Sequence, residues 1–378
     1  MINAKIIADS KNTYGDRITT MLITFPRFIL AELNTHRMFS RNSASSRAIP
    51  FEKMLKSVQE NPFVPIAWQK DHKGMQGTEY ITDSKSIERL EAEWKTAVLN
   101  TVKQAQRLNS GIVCRETWEE GFKEKYGVTK QLCNRLLEPF MWHTVLITAT
   151  EWENFFELRC PQYWLPNSRF FDGQLFRSRK NVLKTLKNHG EYQRTVDFLE
   201  KKATDIDWLK TNKGAAEIHM MAFAEAMYDA YNEGTPKLLQ PGEWHIPFGD
   251  NIDLDTHVEN VPNKLVGCPK SGYTMTYNTD ENKIKIATAR CARVSYTVTG
   301  EEERSPNYEN DLKLHDRLAK SGHWSPFEHC AKAMDKQEYE NLITTTYDVK
   351  NDVARIVKGT LANFKGFIAY RHTIKANM

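Results

Sequence analysis

The sequence predicts an α+β fold, and three observations carry that prediction. Residues 18–25, ITTMLITF, and 140–148, FMWHTVLIT, are runs of β-branched and apolar residues long enough for buried strands. Residues 84–108 repeat Ile87, Leu90, Trp94, Ala97, Val98, Thr101, Val102 and Ala105 at helical spacing, the pattern of one long amphipathic helix with a scaffold role. Residues 214–232 are rich in alanine and methionine and predict a second long helix. The 378 residues are 40% hydrophobic and include 18 Phe, 14 Tyr and 9 Trp, enough for one large core or two modest ones. No internal repeat or low-complexity tract divides them, so the reading is one α+β domain with an insertion.

In chain order, Pro26 suits the first turn of a helix that follows the first strand to about Thr35 and delivers His36 and Arg37 at its end. Pro139 closes a helical piece ahead of the second strand. Thr150 and Glu153 then have the spacing of a capping box opening ATEWENFFELR, with Trp152, Phe155 and Phe156 facing the core. Residues 160–212 are charged, are broken by Pro161 and Pro166, and carry a basic cluster at Arg177, Arg179 and Lys180. They read as a partly helical insertion. The alanine-rich helix ends at Gly234, residues 235–283 read as a connector, and a compact unit resumes near Lys285. There Arg290 and Arg293 share a helical face. A helix from Tyr308 to Ser321 stops at Gly322, in the place of a C-cap glycine. Near the end, FKGFIAYRH at 364–372 reads as a stacking platform or a surface edge strand.

Composition excludes several function classes. Lys and Arg number 52 against 48 Asp and Glu, a formal charge of +4, too small at this length for a general nucleic-acid binder, so any anion site is local. No signal-like opening and no run of about 20 apolar residues is present, which points to a cytoplasmic protein with no membrane partner. The six cysteines, Cys114, Cys133, Cys160, Cys268, Cys291 and Cys330, form no CxxC pair and lie near no metal-type histidine spacing. They read as buried free thiols, and none sits in a motif offering an activating base. No metal is expected.

Two constellations can carry chemistry. THRMFSRNSASSR, Thr35 to Arg47, packs three guanidiniums and four serines into thirteen residues. Arginine forks, serine hydroxyls and backbone amides together match phosphate oxygens, although a solvated polar loop has the same composition. GHWSPFEHC, Gly322 to Cys330, sets His323, His329 and Glu328 within seven residues. These groups suit acid–base work or hydrogen bonding to a polar heterocycle better than zinc, and a structural turn bent at Pro326 is the plain alternative.

Taken together, the segments resemble the flavin-dependent thymidylate synthase family. The family signature, of the form RHRxxSxNExSxR, corresponds to Thr35–Arg47 and retains His36, Arg37, Ser40, Asn42, Ser45 and Arg47. The family's opening segment, an ARVSY-like helix followed by GHxSPFEH, corresponds to residues 292–296 and 322–329. In the family that segment precedes the signature, whereas here it follows, so the chain resembles a circular permutation, which surface termini permit. A weaker likeness links ATEWENFFELR and AAEIHMMA to the family's NxR and AQxEIR helices.

The resemblance implies an antiparallel sheet packed with long helices in permuted order. Residues 1–159 and 213–378 would make one catalytic domain, with the signature segment at 18–50, the permuted segment at 284–335, and 160–212 inserted. It implies conversion of dUMP to dTMP with FAD, NADPH and 5,10-methylenetetrahydrofolate, in a homotetramer whose sites lie between subunits. Residue by residue, His323, Ser325 and Glu328 would meet flavin and folate, and Arg37, Met38 and Arg159 would line the flavin. Ser43, Ser45, Ser46 and Arg47 would hold dUMP, together with the positions of Glu32, Thr35 and His219. Ser45, Arg47 and His323 would stand nearest the chemistry, with Ser45 positioning substrate. His36 and Arg37 should then approach the 323–329 turn, within one chain or across an interface.

Four positions depart from the family pattern. Thr35 replaces the first signature Arg, Glu32 a Gln, Ser43 the Glu, and His219 the last Arg of AQxEIR. Arg41, Arg135 and Arg169 are candidates to replace the lost cations. Glu32 only accepts hydrogen bonds when ionised, which suits cytosine's amine and keeps a dCMP methylase or hydroxymethylase open as a second reading. A flavin- or nucleotide-binding protein without catalysis is the third.

Overall fold

Alternation along two central strands explains how the sheet is buried on both sides. The computed structural model describes residues 2–74, 77–110, 112–113, 125–126, 128–165, 173–252, 280–296, 308–348 and 353–375. Strands β1 (Asn3–Lys11), β2 (Arg17–Pro26), β3 (Ser40–Ser43), β4 (Trp142–Ala149) and β5 (Lys237–Leu238) form one sheet in the order β3-β4-β2-β1-β5. All neighbours are antiparallel except β1 and β5, so the sheet is mixed rather than wholly antiparallel. A parallel pair needs a crossover, and the long helix preceding β5 supplies it.

On one face, Met21, Ile23 and Phe25 of β2 lie beside Val145, Ile147 and Ala149 of β4, all fully buried. Helices cover them, but not the first one expected. Pro26 is the last residue of β2, in extended conformation, and only a 3-10 turn at Arg27–Ile29 and helix α1 (Leu30–Leu33) follow. The Thr35 hydroxyl donates to the Glu32 carbonyl at 2.7 Å and so takes up a carbonyl at the helix end.

Helices α2 (Phe51–Glu60), α3 (Ser84–Ser110) and α4 (Lys130–Leu137) build a second core from Met54, Val58, Val98, Val102, Ala105, Cys133 and Leu137. Within α3 the expected stripe is buried at Val98, Val102 and Ala105, while Ala97 faces solvent. Cys114 lies outside the described residues.

Helix α5 (Glu153–Arg159) places Phe155 and Phe156 on the sheet as expected, but the capping box does not form. Trp152 occupies the N-cap with no side-chain bond, and Thr150 Oγ1 instead accepts the Lys365 backbone N–H at 3.0 Å. A long-range bond takes the hydroxyl that local spacing offered to the helix.

The stretch after α5 holds a hairpin, 163–165 with 174–176, and helices α6 (Arg179–Lys187), α7 (Gln193–Lys201) and α8 (Asp205–Thr211) around Tyr163, Val182, Leu186, Val196 and Trp208. Its basic cluster is committed to ion pairs. Arg177 meets Glu153 at 2.7 Å, Arg179 meets Asp205 at 2.6 Å and Lys180 meets Glu233 at 2.7 Å. Pro166 and Arg169 lie outside the described residues.

Helix α9 (Ile218–Glu233) starts four residues later than composition suggests, because Glu217 caps it by accepting the His219 and Met220 N–H groups. Its Met220, Phe223, Ala224 and Met227 are fully buried on the sheet, with the Phe25 and Phe223 ring centroids 4.7 Å apart. Gly234 ends the helix with φ −67, not in the left-handed region. Glycine is needed for close approach, since a Cβ there would fall 2.5 Å from Ile6 Cδ1.

The connector expected at 235–283 includes β5 and strand β6 (Trp244–His245), while 253–279, with Cys268, lie outside the described residues. Helix α10 (Asp280–Arg293) and helix α11 (Tyr308–Lys320) then pack together. Arg293 binds Asp311 through Nη2 at 2.7 Å, and Arg290 lies 3.7 Å from the same carboxylate. Gly322, at φ +69, ends α11, with its own N–H on Ala319 O and the His323 N–H on Leu318 O.

Strands β7 (Ala331–Ala333) and β8 (Phe367–Ala369) join β6 in a second sheet, ordered β6-β7-β8. Helix α12 (Lys336–Asn341) follows β7, and helix α13 (Tyr370–Lys375) follows β8 directly. FKGFIAYRH thus supplies an edge strand of this sheet as expected, but a buried one rather than a surface strand or a stacking platform. Phe364, Phe367, Ile368, Ala369 and Tyr370 are buried, because they pack against Ile18, Leu239 and Ala331 and against Phe327. Among the described residues no helix is long and apolar enough to cross a membrane.

Candidate active site

The second face of the main sheet is polar where the first is apolar, and there the two ends of the chain meet. β3 alternates, so Ser40 and Asn42 are buried on this face. The Asn42 carboxamide is bonded at both ends. Its Oδ1 accepts the Ser325 hydroxyl at 2.6 Å, and its Nδ2 donates to the Cys291 carbonyl at 3.1 Å. One side chain of the first constellation thus holds both the 322–330 turn and the α10 segment. Beyond β3, the Ser45 N–H donates to the Ser295 carbonyl at 3.0 Å, so the serine loop is tied to the end of the ARVSY stretch.

A buried polar ladder fixes the same turn from below. The Ser10 hydroxyl and His245 Nδ1 lie 2.9 Å apart, His245 Nε2 and Thr20 Oγ1 2.8 Å, Thr20 and Thr148 Oγ1 2.7 Å, and Thr148 Oγ1 and His329 Nδ1 2.8 Å. Burial holds both imidazoles neutral, with pKa values lowered to about 3, His329 by desolvation alone and His245 further by His329. His329, a candidate acid–base group from its spacing, is therefore an uncharged anchor of the turn.

Glu328, next to it, is half-buried and ion-paired with Nη1 of Arg371. With Ser40 these two line a cavity of about 270 Å³ that also touches Leu361–Phe364, Ala369 and His372. His323 stands exposed at the turn's entrance.

A second cluster forms where α5 ends beside α1. Arg159 Nε donates to His36 Nε2 at 3.0 Å, Nη2 reaches Thr35 Oγ1 at 3.3 Å, and Nη1 lies 3.7 Å from Glu32. Burial, then the charges of Arg159 and Arg41, lower the His36 pKa to about 4, so the ring is neutral and can accept the Arg159 donor. Burial and the nearby Glu217 carboxylate raise the Glu32 pKa, against the pull of Arg159. Arg37 and Met38 project into solvent from this cluster, Met38 at 40% exposure.

His219 does not join either group. Its Nδ1 lies 2.6 Å from Glu217 Oε1, its Nε2 accepts the Ile66 N–H at 3.0 Å, and the ring is 4% exposed, so both nitrogens serve the fold. His36 likewise packs on Phe39 and Phe155, and within one chain it is Asn42 that touches the 323–329 turn.

Ser43 and Ser46 are half-buried on the serine loop, whose Ser46 and Ile49 carbonyls are held by Asn134 Nδ2 at 2.8 and 3.0 Å. Arg47 is exposed, and its guanidinium has no partner among the described residues. Of the replacement cations, Arg41 donates to the Leu33 carbonyl at 3.1 Å, while Arg135 is exposed on α4 beside Asn134.

Sequence reasoning assigned no role to Asn42, Arg371 or Glu217. Retention of Asn42 in the signature was the signal for the first; nothing local marks the others. Cys133, Cys160, Cys291 and Cys330 are buried and free, and burial raises each thiol, Cys330 to about 12, so none is a ready nucleophile.

No protein-family model matches the chain, and no curated protein matches it in sequence. Among solved structures it is distantly similar to PolB, a UMP/dUMP methylase from Streptomyces cacaoi. Against PolB bound with 5-Br dUMP the TM-score is 0.32 at 12% identity, over 52% of this chain and 91% of that one. Against PolB bound with 5-Br UMP it is 0.29 at 16% identity, over 46% and 81%.

Proposed function

We propose that this chain is a flavin-dependent thymidylate synthase, converting dUMP to dTMP with methylenetetrahydrofolate as carbon donor and NADPH as reductant. Its catalytic domain is read as 1–159 with 213–378, carrying 160–212 as an insertion. Asn42 carries this reading. A permuted enzyme must bring the signature back to the SPFEH turn and the ARVSY segment, and this one side chain is bonded to Ser325 and to Cys291.

The residues present fit the implied ligands. Exposed Arg37 beside Met38, with Arg159 behind them, offers a cation and an apolar surface to an anionic flavin dinucleotide. The cavity at Ser40 and Glu328 offers polar walls to a heterocycle. When bound, the flavin and folate supply the one-carbon transfer and the final reduction.

The chain's share is binding and orientation. Arg47 and the serine loop hold the nucleotide phosphate, with Ser45 as a positioning group, and a neutral His36 keeps Arg159 aimed along the α1 end. Solvent-facing Arg37, Met38 and His323, together with Phe28 at 42% exposure, support a site completed by a second subunit in a homo-oligomer, read as a homotetramer.

The half-buried Glu32 carboxylate, an acceptor beside Arg159, keeps dCMP as the competing substrate. The test is tritium release from C5-labelled dUMP and dCMP by purified protein, alongside its visible spectrum. Yellow protein releasing tritium from dUMP is expected. Release from dCMP alone would move the assignment to cytidylate, and a colourless protein that takes up no FAD would overturn the flavoenzyme reading.

A further inference from the structure

Arg371 lies in a C-terminal segment to which the functional reading gives no part, yet the fold delivers it to the candidate site with little freedom. β8 pairs with β7, so Ala369 sits opposite Ala331, and the Tyr370 N–H donates to the Cys330 carbonyl at 2.8 Å. The Tyr370 ring stacks on Phe327 with centroids 5.8 Å apart and planes 23° from parallel. The next residue is thereby aimed at Glu328, and the guanidinium pairs with its carboxylate. Arg371 Nε is shielded from solvent and has no hydrogen-bond partner among the described residues. Both residues line the cavity of about 270 Å³, as does Ser40. That space admits one ring system, not a whole dinucleotide.

We propose that Arg371 is a ligand-contact residue, and that with Glu328 it reads the edge of a cyclic amide. The pair sets guanidinium donors beside a carboxylate acceptor, the complement of a ring C=O next to a ring N–H. Ion pairing fixes both groups before the ligand arrives, so little ordering is needed on binding. Lysine cannot replace a planar fork in this role. Uracil, pterin and isoalloxazine rings all carry such an edge, and the inference rests on the reading that the chain binds these three classes.

The test uses the full chain and its Arg371→Gln, Arg371→Lys and Glu328→Gln variants, each checked by thermal melting. Each is titrated separately with dUMP, tetrahydrofolate and FAD. One of the three ligands is expected to weaken by about 10- to 100-fold in Arg371→Gln and in Glu328→Gln, with poor rescue by Lys and the other two within about twofold. That ligand identifies the ring in the cavity. If Arg371→Gln fails to fold, Glu328→Gln decides by the same criterion. Wild-type affinity for all three, or equal loss of all three with a lowered melting point, overturns the proposal. Wild-type protein that binds none of them overturns the functional reading itself, and the proposal with it.

Discussion

The Asn42 carboxamide accepts a 2.6 Å hydrogen bond from the hydroxyl of Ser325, across a sequence separation of 283 residues. The same amide donates to the Cys291 carbonyl, so it holds two segments that are far from it in sequence. Asn42→Ala leaves a buried carbonyl without its donor and frees the turn that carries Glu328. A loss of about 2 to 3 kcal/mol is expected in urea unfolding, together with weakened flavin retention. An unchanged unfolding midpoint would show that other contacts hold the junction.

Arg47 behaves differently because it is exposed and its guanidinium is bonded to nothing among the described residues. Arg47→Ala is expected to weaken dUMP binding about 10- to 100-fold in calorimetry while leaving the melting temperature in place. Full retention of affinity would remove Arg47 from the nucleotide site.

His245 and His329 give a pH prediction with a definite sign. Both titrate near 3 in the fold and near 6.5 in an unfolded chain. Below about 6.5 the unfolded chain binds more protons, so native stability falls as the pH falls and keeps falling toward 3. Each histidine contributes up to about 1.4 kcal/mol per pH unit in that window, and the contribution is intact above it. Urea midpoints at pH 7.5 and 5 measure the slope, which His245→Gln should reduce. Equal midpoints at the two pH values would show that neither ring is buried and neutral.

Arg159 reinforces, after burial, the lowered pKa of His36. Burial is the larger cause of the lowered His36 value of about 4, and the Arg159 charge is the next. Arg159→Gln is therefore expected to raise the His36 pKa partway toward 6.5, read from the imidazole proton shifts in an NMR titration. A value that stays at 4 would leave burial and the Arg41 charge as its causes.

Much of this was legible along the chain. The two strands at 17–26 and 142–149 were readable because short runs of β-branched and apolar residues, bounded by polar or proline positions, suit strands buried on both faces. The turn at Gly322 was equally readable, since a left-handed residue after a helix selects glycine by local sterics. The Thr150 capping box misled because a hydroxyl has one strongest partner, and Lys365 lies 215 residues beyond the reach of a local pattern. The C-terminal FKGFIAYRH misled for a related reason: its aromatics and cations resemble a surface strand, but it packs on Ile18 and Leu239, far from it in sequence.

The sequence alone determined the two central strands, the long helices near 84–108 and 214–232, and the two polar motifs with their resemblance to a permuted synthase, because these depend on side chains a few residues apart. Only the tertiary structure decided which members of those motifs touch. It gave Asn42 the junction, turned His219 and His329 into fixed parts of the fold, and brought Arg371 to Glu328. Such contacts span hundreds of residues, and a hydrogen bond forms only between groups that folding brings within about 3 Å of each other.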